Sequence, residues 1–251
     1  INKVFKNRGG LHNRVTVRIP LAPFTLKECE LYAKERGLKL SRYQILNLYM
    51  VMGGVALYWS LLDKQYSAVQ NIDQLFFNKD AKLQGEFNDL YDSLFKHPEA
   101  YKSIVVTLGK HLSGLTRQEL LKYTAQADNG VFSDRLEELE ECGFIMKMRA
   151  FPKSKKEAIY KLCDNYTIFY FKYIKSNAGI KDFWTKNFKS QSIKSWSGFS
   201  FERVCLQHIS QIKKAIGIAA VATTEHVWRY IPEDGEMDAK GAQIDLLIDR
   251  D

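Results

Sequence analysis

The chain has 251 residues, 45% of them hydrophobic and 26% charged, and a formal net charge of +8. That is enough apolar material for real cores, too varied a composition for a disordered chain, and no apolar run is long enough to cross a membrane. The four cysteines, Cys29, Cys142, Cys163 and Cys205, lie far apart with no Cys-x-x-Cys spacing, so buried free thiols in a cytoplasmic protein are expected rather than zinc or a disulfide framework.

Taken in order, residues 1–6 read as the tail of a helix broken by Gly9-Gly10. Val15–Leu21 reads as a strand ended by Ala22-Pro23. Thr25 with Glu28 forms a capping box for a helix over 26–36 that stops at Gly37. Ser41 caps a broadly apolar helix that ends at Gly53-Gly54, and Val55–Trp59 starts another helical turn. Residues 60–98 read as mostly helical, with a linker near Asn71-Ile72-Asp73 and a domain boundary near 75. Pro98 closes that stretch.

Three short helices follow: 101–112; 117–123, boxed by Thr116 and Glu119; and 131–142, stopped by Gly143. Strands 144–151 and 158–163 come next, joined by Pro152–Glu157. This order predicts a winged helix-turn-helix over 76–168. Its third helix would enter a major groove, yet it carries Arg135 as its one basic side chain against Asp134, Glu137, Glu138, Glu140 and Glu141. Phosphates repel such a face. A structural or interaction role is favoured over base reading, with Lys153, Lys155 and Lys156 at the wing tip able to touch a backbone.

The charge is unevenly spread. Lysine plus arginine against aspartate plus glutamate stand at 11 to 5 in residues 1–75, 14 to 14 in 76–168, and 12 to 10 in 169–251. Within 170–196, Lys172, Lys175, Lys181, Lys186, Lys189 and Lys194 face Asp182 alone, interleaved with Tyr170, Phe171, Tyr173, Phe183, Trp184, Phe188 and Trp196. Two readings fit. One is a surface facing phosphates, with rings that can stack on bases. The other, favoured, is an aromatic core with a solvated lysine face.

Beyond it, a helix carrying Glu202 is expected to run to about Ile212, with Phe201, Val204, Cys205 and Ile209 on its inward face. Lys213-Lys214 and Gly217 mark its end. Val221–Ile231 and Gly241–Asp249 read as two strands around the turn Pro232–Glu236. Asp245 interrupts an apolar alternation in the second strand. A carboxylate in such a place needs a partner, often a metal. The five histidines are scattered without ligand spacing, and no nucleophilic triad is suggested.

Two sets of residues carry a resemblance. The first is Leu11-His12-Asn13-Arg14, Leu21–Glu28 and Met52-Gly53-Gly54-Val55. The second is Gly198-x-x-Phe201-Glu202, Gly217-Ile218, Trp228 and Gly241-Ala242-Gln243-Ile244-Asp245. Their succession resembles the archaeal and bacterial AAA+-type P-loop ATPases that join an ATPase domain to a winged helix and a PD-(D/E)xK nuclease-like domain. The resemblance implies a multidomain, mainly α chain with an α/β C-terminal part. Residues 1–75 would be the end of the ATPase core and its helical lid, 76–168 the winged helix, and 169–251 a nuclease-like domain truncated before its Glu-x-Lys strand. The chain would then be a fragment, or the ordered part of a longer one. The resemblance also implies nucleotide-lid roles for Arg14, Gly53 and Gly54, although Ala56 stands where the family has proline. Asp245 would be a direct Mg²⁺ ligand assisted by Glu202, both catalytic. Lys153, Lys155, Lys156, Lys186 and Lys189 are candidate nucleic-acid contacts. No Gly-x-x-x-x-Gly-Lys-Ser/Thr occurs, so ATP belongs to the full-length protein and its P-loop domain. The expected partners are DNA and that domain, with no membrane; an oligomer is compatible with the sequence. Three functions stay open: the regulatory and nuclease-like portion of such an ATPase, an interaction scaffold with an inactive nuclease fold, and a winged-helix transcription regulator.

Overall fold

Helix starts are where this sequence is most explicit. The computed structural model, which describes residues 17, 21–150, 158–230 and 241–250, shows how they are closed. In α1 (Leu26–Glu35) the Glu28 amide donates to Thr25 Oγ1 and the Thr25 amide donates to Glu28 Oε2 at 2.7 Å. Those bonds from Thr25 hold the Glu28 carboxyl below its ordinary range. Ser41 and Gln44 box α2 (Arg42–Met52) in the same way. α3 (Ala56–Ser60) follows, then α4 (Ala68–Ile72), which runs into a π-helical turn over Asp73–Phe77. Next come α5 (Glu86–Leu94) and α6 (Pro98–Lys110). α6 starts three residues earlier than its apolar stripe suggests, because Pro98 sits at the first helical turn, where its missing N–H costs nothing.

The next unit is β1 (Leu115–Thr116), α7 (Arg117–Thr124), α8 (Gly130–Glu141), β2 (Ile145–Ala150) and β3 (Ala158–Leu162). α9 (Asn165–Phe169) continues through a second π-helical turn, Tyr170–Ile174, into α10 (Lys175–Asn177). α11 (Phe183–Asn187), α12 (Gln191–Gln207) and α13 (Ile209–Ala215) precede β4 (Thr223–Tyr230) and β5 (Ala242–Arg250). The described chain is mainly helical with one small sheet. Among the described residues no helix is long and apolar enough to cross a membrane. The cysteines are all free, and Cys142 is exposed rather than buried.

The sheet runs β1-β3-β2-β4-β5. All pairings are antiparallel except β2 with β4, which is parallel at Arg149↔His226 and Ala150↔Val227. The C-terminal hairpin therefore extends the sheet of the preceding unit. Periodicity reports which residues alternate, not which strand they meet, so this join had no sequence signal.

The expected linker at Asn71–Asp73 is instead buried helix: Asn71, Ile72, Asp73, Leu75, Phe76 and Phe77 are all inside. Asp73 explains the polar sequence there. It is 1% exposed, and its oxygens accept from the Trp184 amide at 2.6 Å, the Thr185 amide at 2.9 Å and Thr185 Oγ1 at 2.5 Å. A carboxylate thereby anchors the start of α11 from across the core. Around it Phe169 meets Phe76, Phe77, Trp184 and Trp196, with ring centroids 5.0–5.8 Å apart. The boundaries expected near 75 and 168 thus fall within packed helices.

Asp73→Ala should lower unfolding stability by about 2–4 kcal/mol, since three donors are orphaned at once. Asp73→Asn, which keeps one accepting oxygen, should lose less. Urea titrations of the three proteins measure this; an alanine variant within about 0.5 kcal/mol of the parent would remove Asp73 from its anchoring role.

Candidate functional site

The helix that carries Glu202 buries Val204 as expected but turns Phe201 outward. On α12 the inward residues are Ile193, Trp196, Ser200, Arg203 and Val204, with His208 at its end. Phe199 and Phe201 face outward, at 62% and 50% exposure. An apolar stripe alone places Phe201 inside; a polar network around Arg203 overrides it.

Arg203 is held by neutral partners. Its Nη2 donates to Ser200 Oγ at 2.9 Å and its Nε to Asn165 Oδ1 at 3.3 Å. Asn165 Nδ2 donates to Gln207 Oε1 at 3.0 Å, and Gln207 Nε2 donates to the Cys163 carbonyl at 2.8 Å. Burial pulls the Arg203 guanidinium down to about 10, opposed by the nearby charges of Asp164 and Glu202. Burial likewise raises the carboxyl of Asp164, which caps α9 by accepting from the Thr167 amide at 2.7 Å.

One turn on, His208 ties the end of α12 to the first helix of the described chain. Its Nε2 accepts from the Leu26 amide at 3.0 Å, and its Nδ1 lies 2.8 Å from the Val204 carbonyl. In that pairing Nε2 is the acceptor and Nδ1 faces a carbonyl that can only accept. The Leu26 N–H belongs to the set a helix start cannot satisfy internally, and a side chain 182 positions away supplies the acceptor. Tyr49 of α2 meets the same imidazole edge-on, 5.3 Å between centroids.

The Gly53-Gly54 turn lies beside this junction. Gly53 has φ +63° and ψ −156°, a region only glycine enters freely. A Cβ there would stand 3.6 Å from Asn165 Nδ2. A Cβ on Gly54 would lie 1.9 Å from the Phe24 carbonyl oxygen, an impossible approach. The Phe24 amide donates to the Gly54 carbonyl at 2.7 Å, and Trp59 Nε1 donates to the Gly53 carbonyl at 2.8 Å. Backbone conformation at Gly53 and the close approach of Phe24 at Gly54 therefore account for the two glycines. Sequence reasoning found the turn but missed Asn165, Arg203, Gln207 and His208, because polar residues dispersed over 43 positions carry no periodic signal.

The remaining candidates are placed as follows. Glu202 is half-buried on α12. Asp245 lies on β5 within a bulge, where the register shifts between His226↔Leu247 and Trp228↔Ile244; its side chain is outside the described residues, as are Arg14, Lys153, Lys155 and Lys156. The hairpin is tied to α13 by an ion pair between Lys213 and Glu225. Lys186 and Lys189 are exposed; Lys186 Nζ donates to the Lys181 carbonyl, and Lys189 lies over the Phe188 ring. Tyr173, Trp184 and Trp196 are buried and cannot stack on a base. Arg135 Nη1 donates to Gln126 Oε1 at 2.6 Å, and Tyr101 hydrogen-bonds to Glu138 beside it. Among the described residues no group of three or more histidine, cysteine, aspartate or glutamate side chains gathers to hold an ion.

The orientation of α12 is open to a direct test. Val204→Ala should cost about 1–3 kcal/mol of unfolding stability, whereas Phe201→Ser should stay within about 0.5 kcal/mol. His208→Ala should cost about 1–3 kcal/mol by stranding the Leu26 amide. Chemical denaturation distinguishes these; equal costs at positions 201 and 204 would contradict the assignment of faces.

Comparison with known proteins gives little to set beside this geometry. No family model matches the chain, and no solved structure matches it. It is similar to an uncharacterized protein of Methanocaldococcus jannaschii, 25% identical over 228 residues, a match that takes in 84% of this chain and 47% of that protein. The chain thus spans about half the length of the curated relative it matches.

Proposed function

We propose that this chain is the C-terminal regulatory portion of an ATP-dependent AAA+-type ATPase that acts on nucleic acid, with its helical lid, winged helix and nuclease-like unit in that order. The observation that carries the reading is the junction at His208. Of the elements assigned to the lid, α1 and α2 meet His208 at the C-terminal end of α12, and the Gly53-Gly54 turn lies beside Asn165 of α9. A lid displaced by nucleotide would carry α12 with it, which is what coupling between the two ends requires. The archaeal relative, with more than half its length outside the match, is compatible with a further domain.

The order α6, β1, α7, α8, β2, β3 supports the winged-helix reading, and the side chains support a structural role for it. Asp134, Glu137, Glu140 and Glu141 are exposed on α8, and the guanidinium of Arg135 is engaged by Gln126. In this reading Mg²⁺ would be held by Asp245 with help from Glu202. The described residues do not by themselves complete such a site.

The full-length protein should hydrolyse ATP, and His208→Ala should change how strongly DNA alters that rate while leaving the ATP affinity within about twofold, since a coupling free energy is separable from intrinsic binding. The 251-residue chain alone should show no micromolar ATP affinity by calorimetry. Arg135→Ala should leave DNA affinity and sequence preference unchanged; a loss of discrimination of about 1–3 kcal/mol would show that α8 reads bases. A full-length protein without ATPase activity would end the ATPase reading.

A further inference from the structure

The stretch 172–194 places six lysines, Lys172, Lys175, Lys181, Lys186, Lys189 and Lys194, on the surface, and all six are exposed. Its aromatic residues explain why. Tyr173, Trp184 and Trp196 form one buried knot, with centroids 5.4, 5.6 and 5.8 Å apart. The Tyr173 hydroxyl also donates to the Ser192 carbonyl at 3.4 Å, which seats the second π turn beside the first turn of α12. Residues two apart on a helix point about 200° apart. Lys175 follows Tyr173 by two, Lys186 follows Trp184 by two, and Lys194 precedes Trp196 by two. Each ring that turns in therefore turns a lysine out, and three segments present their charge around one rigid centre.

Among the described residues these lysines stand apart from the paired ones. Lys102 and Lys213 each pair with a carboxylate, but among the described residues no ion pair to a carboxylate is found for any of the six. Asp182, the one acid in the stretch, is half-buried at φ +58°, with its amide donating to Asn78 Oδ1. Residues 165–202 contain no arginine. Protein interfaces favour arginine and are depleted in lysine, and arginine is also the residue that reads guanine edges or grips a carboxylate through two bonds. Lysine is a mobile point charge suited to phosphates spaced along a polyanion.

We infer that this lysine-only surface is a docking face for a nucleic-acid backbone, bound by charge and counterion release without base reading. The inference rests on the nucleic-acid reading above and names where and how that contact is made. It makes the sequence indifference of binding a property of the surface itself, and it assigns the electrostatic work to 172–194 rather than to the wing.

The test uses the whole chain and fluorescence anisotropy with two short DNA duplexes of unrelated sequence, between roughly 50 and 200 mM salt. Both duplexes should bind alike. The triple variant Lys175→Gln, Lys186→Gln, Lys194→Gln should lose about tenfold or more in affinity, and its log K against log salt should flatten by about 2 to 3, near one per phosphate contact removed. Its thermal melt should not move, since the three side chains are exposed. If the parent binds and the triple variant keeps affinity and slope, while Lys153→Gln, Lys155→Gln, Lys156→Gln loses them, the lysine face is wrong and the nucleic-acid reading stands. If the parent binds neither duplex even at the lowest salt, both fall. Tighter, lysine-dependent binding to phosphatidylserine vesicles or to polyglutamate than to duplex would overturn nucleic acid as the partner.

Discussion

A carboxylate sealed inside a protein must have its oxygens filled, and Asp73 meets that demand in a way that organises the core. Its donors are the Trp184 and Thr185 amides and the Thr185 hydroxyl. All belong to the start of a five-residue helix too short to be stable alone. The bond geometry fixes where α11 sits, and α11 then places Trp184 against Phe77, Phe169 and Tyr173. Hydrophobic burial supplies most of the energy here, but it is non-directional. The carboxylate supplies the register.

The junction of Asn165, Arg203, Gln207 and His208 follows the same logic with the opposite charge. A guanidinium with about 9% exposure is costly unless each donor finds an acceptor. Three of those acceptors are an asparagine side chain, a serine hydroxyl and a main-chain carbonyl. At the end of α12, His208 adds a separate polar seam to α1, accepting from the Leu26 amide while its other ring nitrogen meets the Val204 carbonyl. A seam of this kind is either wholly formed or badly unsatisfied, so it behaves as a latch between α1 and α12 rather than as a soft contact.

Much of this was legible in the sequence wherever the determinant is local. The capping boxes at Thr25 and Thr116, the Ser41 cap, the stop at Gly37 and the hairpin strands near 145–162 and 223–250 are each written within a few residues. Illegible were features decided by distant partners. Phe201 fits an apolar helical stripe, but the requirement to bury Arg203 and its acceptors turns that stripe aside. The π-helical turns at Asp73–Phe77 and Tyr170–Ile174 have no propensity signature, since an i to i+5 bond is imposed by packing on both sides. Of the proposed catalytic pair, the strand bearing Asp245 was foreseen, but not the bulge in its register. A bulge is settled by cross-strand fit, and alternation along one strand cannot show it.

The parallel pairing of β2 with β4 has a consequence for how this protein is made. The paired residues, Arg149 and His226, are roughly 77 positions apart, and closing a loop of that size costs about 4 kcal/mol in chain entropy. At typical synthesis rates, β4 leaves the ribosome roughly 4 to 15 seconds after β2. During that interval the β2–β3 hairpin can already exist, with one edge of β2 carrying unpaired amides and carbonyls. That open edge, closed in the finished molecule, is where a nascent chain is most exposed to pairing with a neighbour. The helices between the two strands therefore delay as well as separate them, and conditions that slow translation through 165–222 should raise the burden on holding chaperones.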